Sequence, residues 1–86
     1  MDEQTFQAEL DRAKAMQRTV KEPVEADYWA GYQRGLRRAF LGERFGTARQ
    51  HELWLSLASD DDHLSASRGR GYRDGLMFGG EGWVTT

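Results

Sequence analysis

Cysteine is absent from this 86-residue chain, which excludes a disulfide framework and a thiolate zinc site. Proline occurs once, as Pro23. It marks a boundary, because proline disfavours helical geometry in the residue before it and fits the first turn of a following helix. No apolar run approaches the roughly 20 residues that a spanning helix needs, so no membrane partner is expected. The opening "MDEQTFQAEL" lacks the basic region and apolar stretch of a secretory signal. Together with the missing cysteine, this sets the expectation of a soluble cytoplasmic protein.

Charge of one sign is also lacking overall: 12 Lys and Arg stand against 14 Asp and Glu. The distribution is uneven. Residues 1–27 carry seven acids and four bases, and residues 28–49 carry five arginines against one glutamate. Residues 50–67 hold four acids and no Lys or Arg, and residues 68–86 hold three arginines and two acids. A globally basic nucleic-acid binder is disfavoured, whereas a local basic face is allowed.

What is present is helical text. Phe6, Leu10, Ala13, Gln17 and Val20 recur at spacings of three and four, which predicts a first helix over 3–20. A second is expected over 24–44, where Tyr28, Tyr32, Leu36 and Phe40 recur every fourth residue and Trp29 and Ala39 widen the stripe. Gly46 is the expected left-handed cap, because "TARQ" (Thr47–Gln50) has the pattern of a capping box that opens a third helix over 47–58. That helix would point Leu53, Trp54, Leu57 and Ala58 inward, with Leu55 on its flank. Asp60, Asp61 and Asp62 suit the amino terminus of a fourth helix. That helix, over 64–78, should turn Leu64, Tyr72 and Leu76 inward, although Gly69, Gly71 and Gly75 lower its propensity. A tail, 79–86, leaves helical geometry, with Trp83 and Val84 folded back as a lid or exposed. The fold class is therefore all-α: one small compact bundle of three main helices and a glycine-rich fourth.

The hexapeptide "GYQRGL" (Gly31–Leu36) returns forty residues later as "GYRDGL" (Gly71–Leu76). Interior glycines cost roughly 0.5–1 kcal/mol each relative to alanine. Gly31 with Gly35, and Gly71 with Gly75, each make a bare strip on one helix face. Two such strips predict helices crossing at close backbone range, with Tyr32, Leu36, Tyr72 and Leu76 around the crossing. The repeat also suggests a two-fold relation between the first and second helix pairs.

Sites for chemistry are few. His51 and His63 have no partner at the four-residue spacing that would put two metal ligands on one helix face, and the aspartate run lacks the alternation and central glycine of a calcium loop. Ser56, Ser59, Ser65 and Ser67 have no histidine–acid arrangement supported by spacing, and no phosphate loop is present. Neither an enzyme nor a bound cofactor or metal is expected. The arginines point elsewhere. Arg34, Arg37, Arg38 and Arg44 recur near one face of the second helix, with Tyr28 and Trp29 as aromatic neighbours, which is the composition of a protein-docking hot spot. The first expectation is thus an interaction module, an adaptor or inhibitor of a larger protein, with self-association as a variant. The second is a nucleic-acid binder in which these arginines contact phosphates and Tyr28 or Trp29 stacks on bases. A solvated face bridged to the acidic first helix or to the aspartate run is the plain structural alternative.

Overall fold

A computed structural model describes residues 1–79; the expectation for Trp83 and Val84 lies outside the described residues. The first helix, α1 (Glu3–Thr19), begins where the Asp2 carboxylate accepts the Thr5 N–H at 2.7 Å. Phe6, Glu9, Leu10 and Ala13 form its buried stripe. Pro23 opens α2 (Pro23–Leu41). The Thr47–Gln50 capping box opens α3 (Ala48–Ser56), with both reciprocal hydrogen bonds formed. Asp62 caps α4 (His63–Phe78) by accepting the Ser65 N–H at 2.9 Å. Single 3₁₀ turns, Gly42–Arg44 and Leu57–Ser59, follow α2 and α3. The architecture is all-α, with no strand among the described residues and a Cα radius of gyration of 12.3 Å.

Two expectations are corrected. The second helix stops at Leu41 because Gly42, not Gly46, takes the positive φ, at φ 69° and ψ −148°. That backbone region is open essentially to glycine alone. Gly46 instead lies buried beneath the Arg38 side chain, where a β-carbon would meet Arg38 Cδ at 3.4 Å. Second, Leu53 and Leu64 point outward, 58% and 38% exposed. The third helix buries none of its residues and is held by one side only, through His51 and Trp54 against Tyr72. Leu53 falls off that side. Leu64 stands in the first turn of α4, a turn before that helix meets α2.

The core lies between α1 and α2, where Phe6, Leu10, Ala13, Tyr32 and Leu36 cluster and Phe6 stacks on Phe40 at 4.3 Å. Beside it, α2 and α4 meet on their glycines. A β-carbon on Gly31 would overlap the Arg68 carbonyl, and one on Gly35 that of Tyr72. In return, Gly71 lies against the Tyr28 carbonyl and Gly75 against that of Tyr32. Each glycine thus faces the carbonyl three residues before the equivalent glycine of the other helix. The hydrogen that replaces each side chain points at an oxygen, the geometry of Cα–H···O contacts worth about 0.5–1 kcal/mol each. Four of them offset about 2–4 kcal/mol, the same size as the propensity cost of four interior glycines. Ser67, 2% exposed, joins the helices further by donating to the Val24 carbonyl at 2.5 Å.

Candidate functional site

The two packing faces of α2 decide which of its residues remain available. Gly31 and Gly35 face α4, whereas Tyr32, Leu36 and Phe40 face α1. At about 100° per residue, Arg34, Arg37 and Arg38 share an arc of about 100° that begins beside the α4 contact and runs outward; all three are half-buried. Arg44, in the 3₁₀ turn that follows α2, is exposed. Arg49 is exposed in the first turn of α3.

Arg34 is held by aromatic rings from beyond α2. Its guanidinium carbon lies 4.6 Å from the centroid of Trp54 and 5.2 Å from that of Phe45. Such stacking uses the π face of the guanidinium and leaves its in-plane N–H groups unspent. Arg38 lays its stem over Gly46, and its Nε is buried with no hydrogen-bond partner among the described residues. None of Arg34, Arg37, Arg38 and Arg44 forms an ion pair with another described residue. The pairs that do form lie elsewhere: Arg12 with Glu9 at 2.6 Å, Arg68 with Asp27 at 3.2 Å and Arg73 with Asp74 at 3.7 Å. The bridges from this edge to α1 or to the aspartate run are therefore not made.

Tyr28 and Trp29 are not gathered with the arginines. The Tyr28 hydroxyl donates to Asp74 on α4 at 2.6 Å. Burial, and then the Asp74 carboxylate, push its pKa up to about 12. Trp29 turns toward α1, where Arg12 stacks over its ring at 5.3 Å. It also stands about 12 Å along the axis from Arg37. Both aromatics are half-buried and engaged with neighbouring helices.

Three features escaped the sequence pattern. Glu9, 8% exposed, accepts two hydrogen bonds from Arg12, at 2.6 and 2.9 Å, and one from the Tyr32 hydroxyl at 2.5 Å. The Arg12 hydrogen bonds hold its carboxyl below the usual range; burial opposes them and Tyr32 assists. Its signal in the sequence was an acid placed on the inward stripe of the first helix. Tyr72 lies with its hydroxyl 2.7 Å from His51 Nδ1, so each hydroxyl of the Tyr32–Tyr72 repeat pair meets a titratable group on its neighbouring outer helix. The third, the Trp54–Arg34–Phe45 stack, had no sequence signal, because it joins residues from three elements at no helical spacing. Among the described residues no group of three His, Asp or Glu side chains is placed to hold a metal ion, and no helix is long and apolar enough to cross a membrane.

The chain is thus a small all-α bundle carrying an outward arginine edge. Compared with known proteins, it matches no family model, no curated protein and no solved structure.

Proposed function

We propose that this chain is a cytoplasmic interaction module, an adaptor or inhibitor, that docks an acidic surface of a larger protein on Arg34, Arg37, Arg38 and Arg44. The observation that carries this reading is that four arginines gather on and just beyond one helix with no ion pair to any described residue, whereas the helix-contact arginines Arg12, Arg68 and Arg73 are each paired with an acid. A partner's carboxylates would complete those pairs, steering encounter and fixing orientation. Leu53 and Leu55 are exposed on α3, the helix whose Trp54 holds Arg34, and offer apolar surface to a partner. A second copy of the chain is a partner of the same kind, offering Glu22 and Glu25, both exposed. Binding, not catalysis, is the activity this surface suits.

The nucleic-acid alternative draws on the same arginines, but Tyr28 and Trp29 are occupied with α4 and α1 and supply no stacking platform next to them. Affinity purification from the source cell tests the reading. Arg37→Glu with Arg44→Glu should release a partner that the parent retains, and Arg18→Glu, exposed at the end of α1, should keep it. Retention of every partner by the double variant contradicts the proposal. A nucleic-acid partner would announce itself by a salt slope of about 0.9 per neutralised phosphate on duplex DNA.

A further inference from the structure

We infer that Arg34 is the anchor of this edge and that what it reads is the planar carboxylate of an Asp or Glu side chain in a partner segment that also presents apolar residues. This rests on the reading of the arginine edge as the docking surface and names its partner's chemistry.

Three observations converge on Arg34. Its guanidinium lies over the Trp54 and Phe45 rings, contacts that restrict its rotamers, so part of the rotamer entropy that a free arginine would lose on binding, up to about 2 kcal/mol, is already lost in the fold. Its N–H groups make no hydrogen bond to any described residue, and the residue is only partly buried. A rigid guanidinium edge with unspent donors matches a carboxylate in bidentate fashion, with two parallel N–H···O bonds. Arg37 and Arg38 flank it on the same arc and add positive potential.

The surroundings choose between a carboxylate and a nucleic-acid phosphate. Bases accompanying a phosphate would need free ring faces beside the anchor, but Arg34 covers one face of Trp54 and of Phe45, and the Trp54 ring also leans on Tyr72. Leu53, 58% exposed, and Leu55, 37% exposed, precede and follow Trp54 on α3 and point about 100° to either side of it. Apolar side chains on the helix that holds a carboxylate anchor fit a peptide in which acids and leucines lie side by side.

The test uses the full chain and observes the Arg34 Nε–H signal by nuclear magnetic resonance, assigned through Arg34→Lys. Three probes are titrated: a peptide of alternating leucine and glutamate, its leucine–glutamine counterpart, and a single-stranded oligonucleotide matched in charge to the acidic peptide. The acidic peptide is expected to shift the Arg34 signal to saturation, and the glutamine peptide to leave it in place. Arg34→Lys, which keeps the charge but loses the fork and the stack, is expected to weaken binding about tenfold, and Arg18→Lys to leave it unchanged. An Arg34 signal that no acidic probe moves, equal affinity of Arg34→Lys and parent, or tighter binding of the oligonucleotide would each overturn the inference. If Arg34→Lys binds as the parent does while Arg37→Glu with Arg44→Glu still loses its cellular partner, the edge stands and only the anchor falls. If that double variant keeps its partner, the docking surface falls with it.

Discussion

Gly31 and Gly71 occupy equivalent posts on two helices: the first lies against the carbonyl of Arg68 and the second against that of Tyr28. The Tyr28–Leu36 and Arg68–Leu76 segments therefore close on each other by backbone, and this contact fixes which arc of α2 is left to carry arginine.

Alanine at either post should destabilise the fold despite a helix-propensity gain of about 1 kcal/mol. The obstructing atoms belong to a helical backbone and cannot swing aside, so a net loss of about 1–3 kcal/mol is expected for Gly31→Ala and for Gly71→Ala. Thermal denaturation would show it as a midpoint lowered by about 4–8 °C per kcal/mol. Gly42→Ala meets no atom within 4 Å, so its cost, about 1–3 kcal/mol, should come from the backbone conformation alone. A midpoint raised by Gly31→Ala would contradict the contact.

Amide hydrogen exchange should rank the helices. The third helix buries no residue, whereas α2 and α4 bury backbone against backbone. Local opening follows such differences in burial, so amides of residues 51–56 should exchange at low protection and those of 32–38 and 70–76 near the global limit. Equal protection in α3 and α4 would mean that α3 is docked more firmly than through His51 and Trp54.

Stability should fall in acid partly through Glu9. Its folded pKa lies below the ordinary value of 4.5 because Arg12 and Tyr32 donate to the carboxylate. The unfolded chain therefore binds the proton first as the pH falls. The stabilisation is complete above about pH 4.5 and is lost as the pH drops through the folded value. Glu9→Gln should flatten that acid limb, leaving the part due to the helix caps Asp2 and Asp62, whose values are lowered as well. Tyr32→Phe removes one hydrogen bond to a charged group and should cost about 1.5–3 kcal/mol at neutral pH. Denaturant titrations across pH 2–7 measure both effects.

The alkaline limb has the opposite sign. Burial and Asp74 raise Tyr28 from 10.0 to about 12, so the folded chain keeps a proton that the unfolded chain releases. That stabilisation is present below pH 10 and declines as the pH climbs toward 12. Phenolate absorbance should show Tyr28 ionising above the free-tyrosine value, and Tyr28→Phe should remove its share of the delayed rise, leaving that of Tyr32, which burial and Glu9 raise as well.

Helix periodicity revealed the first, second and fourth helices because their buried residues repeat every three or four positions, and "TARQ" and Pro23 marked two starts through local capping chemistry. The repeated glycines pointed to close approach because nothing local rewards glycine inside a helix. Gly42 and Gly46 could not be told apart in the same way. Either can stop a helix, and the choice depends on the packing of Arg38 over Gly46, a tertiary contact. Leu53 misled because a leucine at helical spacing reads as buried, whereas α3 touches the rest of the chain along too narrow a strip to cover it. The candidate site was legible in part. Arg34, Arg37 and Arg38 followed from helical period alone, but the separation of Tyr28 and Trp29 from them, and the pairing of Arg34 with Trp54 and Phe45, arise only once all four helices are in place.

The crossing of α2 and α4 underlies the placement of every arginine on the edge, and nuclear Overhauser contacts across it test it most directly. A β-carbon at Gly75 would sit 2.9 Å from the Leu36 nitrogen, and one at Gly35 would sit 3.0 Å from the Leu76 nitrogen. Strong cross-peaks are therefore expected between the Gly75 Hα and the Leu36 amide proton, and between the Gly35 Hα and the Leu76 amide proton. Both pairs silent in a folded, fully assigned chain would contradict the crossing and, with it, the outward arc assigned to Arg34, Arg37 and Arg38.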